Sequence, residues 1–325
     1  MSRIAIVILI AGLIGAVAVI AAFGASSVVS AIIGMGWIGF LVFCLAHAPV
    51  AALLGLGWRA CLPRAAAASS RAMIAARILR DASAELLPFS EIGGFLIGAR
   101  AAMLGGLTGA EASASTLVDI TTEAVAQLAF IALGLIALVH IRPDAPMIRP
   151  ALIALIVAAG VIATLALLLR HSRWLSRWVG AAARRWLGGF GQVDAALGAL
   201  RDIMSRPGAV VASFALHVIA WLAVALEAWL ALRLIGARIS LEGAVALESL
   251  LFASRSLAFF MPNALGVQEG AYALLAPLVG LTPADALALS LLKRARDLAI
   301  GAPALLLWQQ AEALKIFRAK PDLAK

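Results

Sequence analysis

The sequence predicts an all-α fold, a polytopic membrane helix bundle with two inverted repeats, each containing a broken, re-entrant hairpin. It reads as one integral membrane domain over residues 1–325. Three observations lead there. Hydrophobic residues make up 64% of the chain and charged ones 13%, whereas a soluble domain is about 45–50% apolar and about 25% charged. Apolar runs long enough to cross about 30 Å of hydrocarbon recur along the chain. The two halves also share a motif in one register.

The first run, residues 4–24, carries no charge. It is longer than the ~7–15 apolar residues of a signal peptide and no clean small-residue cleavage site closes it, so it reads as a retained helix. A second span, 36–57, ends at Trp58-Arg59, a pattern common at a membrane boundary. From 59 to 80 the chain bears Arg59, Arg64, Arg71, Arg77 and Arg80 without an acid. That alanine-rich stretch is expected to lie on the membrane surface as an amphipathic helix. Residues 85–109 are apolar but broken by Pro88, Gly93, Gly94 and Gly98, and carry Glu91 and Arg100. Lipid would not tolerate such a segment, whereas a re-entrant hairpin buried in protein would.

A span over 117–139 follows, with Asp119 and Glu123 near its start, then a short loop at 142–146 and a clean span at 151–169. Residues 170–206 are arginine-rich with three tryptophans, which predicts a cytoplasmic helix on anionic headgroups. Further spans are expected at 207–236 and about 298–308; between them 241–260 is apolar but holds Glu242, Glu248 and Arg255 and either crosses or only dips, and a second broken region runs from Pro262 to Pro283 and includes Gly266 and Gly270. The tail is basic.

Net charge is +9. In a soluble protein that would suggest nucleic acid. Here it follows the positive-inside rule, and no nucleic-acid partner is expected. Placing the basic segments on one side puts both termini in the cytoplasm. Cys44 and Cys61 are the only cysteines, and His47, His140, His171 and His217 have no metal-ligand spacing, so neither a disulfide framework nor a metal or other cofactor is expected. No nucleophile elbow or phosphate-binding glycine loop is present, so no catalytic residue is assigned.

Gly106-Leu107-Thr108-Gly109-Ala110-Glu111 matches Gly280-Leu281-Thr282-Pro283-Ala284-Asp285, 174 positions later. The same offset lays Pro88 on Pro262 and Glu123 on Asp297. It defines repeat halves of about 36–140 and 207–316, and the charge-derived topology makes them inverted, the pattern of transporters with glycine- and proline-broken helices. Glu111 and Asp285 read as helix-starting residues. Charges inside the spans form two groups: Glu91, Arg100, Asp119 and Glu123 in the first half, Arg255, Glu269, Arg294, Arg296 and Asp297 in the second. Each costs about 2.5–3.5 kcal/mol to insert unless it faces protein or water. They either pair and hold helices together, or the arginines bind a lipid phosphate while the carboxylates take a cation or proton. Glu227 stands isolated in its span and is ambiguous.

At these residues the chain resembles a known family. Pro262-Asn263-Ala264-Leu265-Gly266-Val267-Gln268-Glu269-Gly270, the Gly-Leu-Thr turn after it, the helix bearing Arg294 and Arg296, and Pro88, Gly93, Gly94 and Arg100 in the first half are similar to the flippase-like membrane domain of lysylphosphatidylglycerol synthases. The closest likeness is to its hopanoid-biosynthesis-associated branch. A Pro-Gly-Gly run usual in the family stands here as Pro262-Asn263-Ala264. The resemblance implies a bacterial inner-membrane protein that translocates a lipid, an anionic phospholipid, a hopanoid or a hopanoid-related lipid, with membrane lipids and lipid-biosynthesis proteins as partners. Aminoacyl transfer is not carried over, since no soluble transferase domain is expected. On this reading Arg100, Glu269, Arg294 and Arg296 contact the headgroup. Glu91, Asp119, Glu123, Arg255 and Asp297 form the coupling charges, and Pro88, Gly93, Gly94, Pro262, Gly266 and Gly270 shape the hairpins. A non-catalytic scaffold of a lipid-biosynthesis complex and an intramembrane lipid-modifying enzyme are the alternatives.

Overall fold

Apolar runs become helices wherever caps and turns punctuate them. The computed structural model describes residues 25–87, 90–171, 190–257 and 264–318. Among these it is all-helical, without strands. The helices are α1 (Ala25–Ala46), α2 (Ala48–Ala60), α3 (Ser70–Leu86), α4 (Ser90–Leu104), α5 (Gly109–Ile141), α6 (Ile148–His171), α7 (Phe190–Met204), α8 (Pro207–Leu234), α9 (Leu241–Leu257), α10 (Val267–Leu275) and α11 (Pro283–Arg318), with a 3₁₀ turn at Ala276–Val279 between the last two. Three stretches among the described residues are long and apolar enough to cross a membrane: Ile32–Ala60, Gly109–Ile141 and Pro207–Leu234. The predicted span 4–24, Pro88, Pro262 and the arginines at 173–185 lie outside the described residues.

The Gly-Leu-Thr matches are structural counterparts. Gly106 and Gly280 both adopt left-handed backbone, φ 110° and 79°, which glycine accepts without strain. Thr108 and Thr282 then cap the next helix, accepting the N–H of Glu111 at 3.2 Å and of Asp285 at 3.1 Å. The acids at 111 and 285 occupy first turns, as expected. With the 174-residue offset α3, α4 and α5 correspond to α9, the α10–3₁₀ arm and α11.

The packing repeats with the order. α5 packs on α9, and α11 on α3, so each long helix embraces the first hairpin arm of the other half, while α2 packs on α8. Small residues permit these approaches. A Cβ on Gly134 of α5 would fall 1.5 Å from Ser249 Oγ of α9, and one on Gly301 of α11 would fall 3.0 Å from Ala82 Cβ of α3. Between α3 and α4 the same device uses Gly94, Gly98 and Gly105, whose Cβ positions lie 2.8 Å from Arg80 O, 2.7 Å from Arg80 Cβ and 2.9 Å from Ala72 Cβ. Val50 and Leu54 of α2, Phe130 of α5 and Trp221 of α8 fill the centre.

One expectation changes. The arginine-rich segment before residue 80 does not lie wholly on the surface. Its second part is α3, the first arm of the hairpin, and Arg77 and Arg80 are buried while Arg59, Arg64 and Arg71 are exposed. The reason is long-range: acids on α5 neutralise both guanidiniums. Trp58, near the end of the Ile32–Ala60 stretch, faces protein and is fully buried, its indole N–H donating to Ser115 Oγ at 3.3 Å. The part of 170–206 that is described, α7, packs against α5 with Ile203 buried beside Cys61 and Val118.

Candidate functional site, a set of buried ion pairs around a cleft

Every buried Asp, Glu, Lys and Arg among the described residues has an oppositely charged partner. An unpaired charge in this setting would cost several kcal/mol. The pairs form three groups.

The first joins α3 to α5. Arg77 forks onto Glu123 with bonds of 3.0 and 2.6 Å and reaches Asp81, one turn along its own helix, at 2.9 Å. Arg80 donates to Asp119 at 2.6 Å and to Glu123 at 2.7 Å. Helical spacing makes this possible: positions 77 and 80 share one face of α3, and 119 and 123 share one face of α5. Phe95 of α4 covers the Arg80 guanidinium at 4.5 Å. His217 of α8 donates from Nε2 to the other Asp119 oxygen at 2.9 Å, while its buried Nδ1 has no hydrogen-bond partner.

The second group joins α9, α10 and α11. Glu248 accepts from Tyr272 at 2.7 Å and from Lys293. Glu269 accepts from Arg294 at 2.7 Å, from Ser290 at 3.2 Å and from the Gly266 N–H at 2.9 Å. Gly266, at φ 81°, thus presents its amide to the carboxylate that starts α10. Arg255 bridges Gln268, at 2.8 Å, to Glu85 of α3, which ties the two hairpins together. The signs are exchanged between halves. In the first group the hairpin carries the arginines and the long helix the acids. In the second the hairpin carries the acids Glu248 and Glu269 and the long helix the cations, with Arg255 the exception on this hairpin as Asp81 is on the first. Asp119 and Lys293 occupy the same register position, 174 residues apart.

The third group belongs to the second half, with His47 reaching it from the first. Glu227, in the middle of α8, accepts from Arg296 and pairs with His47 Nδ1 at 3.0 Å. Arg296 also donates to Asp297, at 2.6 Å. Beside this group a cleft opens among α2, α3 and α11, with His47, Asp81, Glu85 and Asp297 as its polar lining and Ala51 and Gly301 among its walls.

The residues singled out from sequence therefore fall into different places. Asp119 and Glu123 belong to the first group, Glu269, Arg294 and Arg255 to the second, Arg296 and Asp297 to the third. Arg100 stands apart, half exposed on α4, and forks onto Glu312 of α11 at 2.8 and 3.0 Å. Glu91 and Gly93 lie in α4 and Gly270 in α10, where a Cβ on Gly270 would meet nothing within 4 Å. Sequence reasoning missed Arg77, Arg80, His47, His217, Glu248 and Lys293 as members. The paired i,i+3 and i,i+4 spacings of 77/80 and 119/123 were the available signal.

A family model described as the lysylphosphatidylglycerol synthase TM region matches residues 4–304. No curated protein and no solved structure matches the chain.

Proposed function

Because this chain belongs to the family of the lysylphosphatidylglycerol synthase TM region, whose role concerns membrane lipids, we propose that it translocates a lipid across the bacterial inner membrane. The observation that carries this reading is the set of polar pairs that cross between the halves, His47 with Glu227, Asp119 with His217 and Glu85 with Arg255, beside an acid-lined cleft. A bundle that only held other proteins would need no such interior, since each ionisable group in a span is costly. The shared element order and packing of the halves support an inverted repeat, in which each hairpin enters from one face and the groove between them opens alternately.

In this mechanism Arg294, partly accessible, and Arg100, half exposed, receive the lipid phosphate, for which a guanidinium fork is suited. Glu269 and Arg296 exchange partners as the groove changes face. Asp119, Glu123, Arg255, Asp297 and Glu91 are the coupling charges. The substrate is an anionic phospholipid, a hopanoid or a hopanoid-related lipid, and both termini are cytoplasmic.

The test is movement of a headgroup-labelled lipid in liposomes containing the purified protein, read with a membrane-impermeant quencher. Wild type should move label above protein-free liposomes, and Glu269→Gln or Arg296→Ala should lose that movement while staying folded by circular dichroism. Wild type no faster than empty liposomes, for phospholipid and hopanoid probes alike, would refute the reading.

A further inference from the structure

We propose that the His47–Glu227 pair is a proton-binding site, loaded and unloaded through the cleft between α2, α3 and α11. The site rests on geometry, and its use in driving movement rests on the translocation reading above.

Geometry assigns the tautomer. A carboxylate only accepts, so His47 Nδ1 carries the hydrogen in its 3.0 Å bond to Glu227 Oε2. A further proton therefore goes to Nε2. The side chain is 20% exposed while Glu227 is 1% exposed, so the imidazole is the accessible end of a buried pair. His47 also lines the cleft, whose other polar lining is entirely acidic.

The charge balance leaves room for one proton. The groups around the His47–Glu227 pair are the Cys44 thiol from α1, Asp81 and Glu85 from α3, and Arg296 and Asp297 from α11. Glu227 and Asp297 share the single positive charge of Arg296. Glu85 is held from behind by Arg255, Arg77 is shared between Asp81 and Glu123, and Lys293, near Glu227, is taken by Glu248. The Glu227–Arg296–Asp297 group thus carries one excess negative charge, and an imidazolium at 47 neutralises it. In a medium of low dielectric a neutral cluster is favoured over a charged one. Imidazole is also the side chain that ordinarily changes charge near physiological pH. His47 sits at the joint where α1 ends and α2 begins, and its carbonyl accepts the Ala51 N–H at 3.0 Å, so the proton binds at a helix junction.

The experiment uses the full chain in lipid nanodiscs with ¹⁵N-labelled histidine, followed by NMR from pH 5 to 9. One imidazole resonance should vanish in His47→Gln, and in wild type its Nε2 shift should move with pH. Asp297→Asn, which leaves the imidazole and its carboxylate in place, should shift that midpoint down by about one pH unit, a tenfold weaker proton affinity. A His47 resonance static from pH 5 to 9 overturns the proposal. So does a sodium titration at fixed pH that moves it as far as protons do. Coupling is read separately in the liposome assay. Wild-type movement that varies with pH, with the dependence lost in His47→Gln, supports a driving role. Equal movement at every pH in both overturns that role while leaving translocation standing.

Discussion

The ion-pair group between α3 and α5 makes a sharp prediction about Asp119. Its carboxylate is fully buried, with one oxygen taken by Arg80 at 2.6 Å and the other by His217 at 2.9 Å. Asp119→Leu removes the acceptor of both donors in a place without water to replace it. Breaking a buried pair costs about 3–5 kcal/mol. Arg80 still holds Glu123 at 2.7 Å, which puts the expected loss at the lower end, about 3 kcal/mol, or roughly a hundredfold in the folding equilibrium. Arg80→Met should cost a similar amount, since it leaves Asp119 only His217 and, at 3.7 Å, Arg77. In the double variant neither partner is stranded, so its loss should fall short of the sum by about 1–3 kcal/mol. The assay is unfolding of the purified protein in mixed micelles by added sodium dodecyl sulfate, followed by far-UV circular dichroism. Strictly additive losses would refute the reasoning, because two side chains that do not meet cannot couple.

Two further outcomes test the packing and the periphery. Gly134→Ala should destabilise by about 1–3 kcal/mol, since the new methyl lands on Ser249, and adding Ser249→Gly should return most of that in the same unfolding assay. Arg100→Ala should change stability by no more than about 1 kcal/mol, because its pair with Glu312 is half exposed, so any loss of lipid movement in that variant reports on binding rather than folding.

Much of the helical order was legible, and for a physical reason. Lipid demands uninterrupted apolar runs and places charge and glycine where runs end, so α5, α6 and α8 follow from composition alone. The Gly-Leu-Thr turns were legible because a left-handed glycine and a threonine cap are local requirements. Partnership was not. Whether Arg77 and Arg80 face headgroups or acids depends on α5 folding back over α3, a contact between positions 39 to 46 residues apart on chemistry that is identical in either case. Glu227 looked isolated because its partners, His47 and Arg296, come from opposite ends of the chain. The hairpin tips at Pro88 and Pro262 remain readings of sequence, outside the described residues.

The exchanged signs of the two hairpins have an electrical consequence. In the inverted arrangement proposed here, alternation carries one hairpin outward as the other goes inward. On the first hairpin Arg77 and Arg80 are balanced by Asp81 and Glu85, while on the second Glu248 and Glu269 outweigh Arg255, so the net charge displaced is that of the second hairpin's carboxylates. A full elementary charge crossing the bilayer is worth about 2.3 kcal/mol per 100 mV. The resting potential of the cell would then bias which face of the groove stands open, before any lipid has bound.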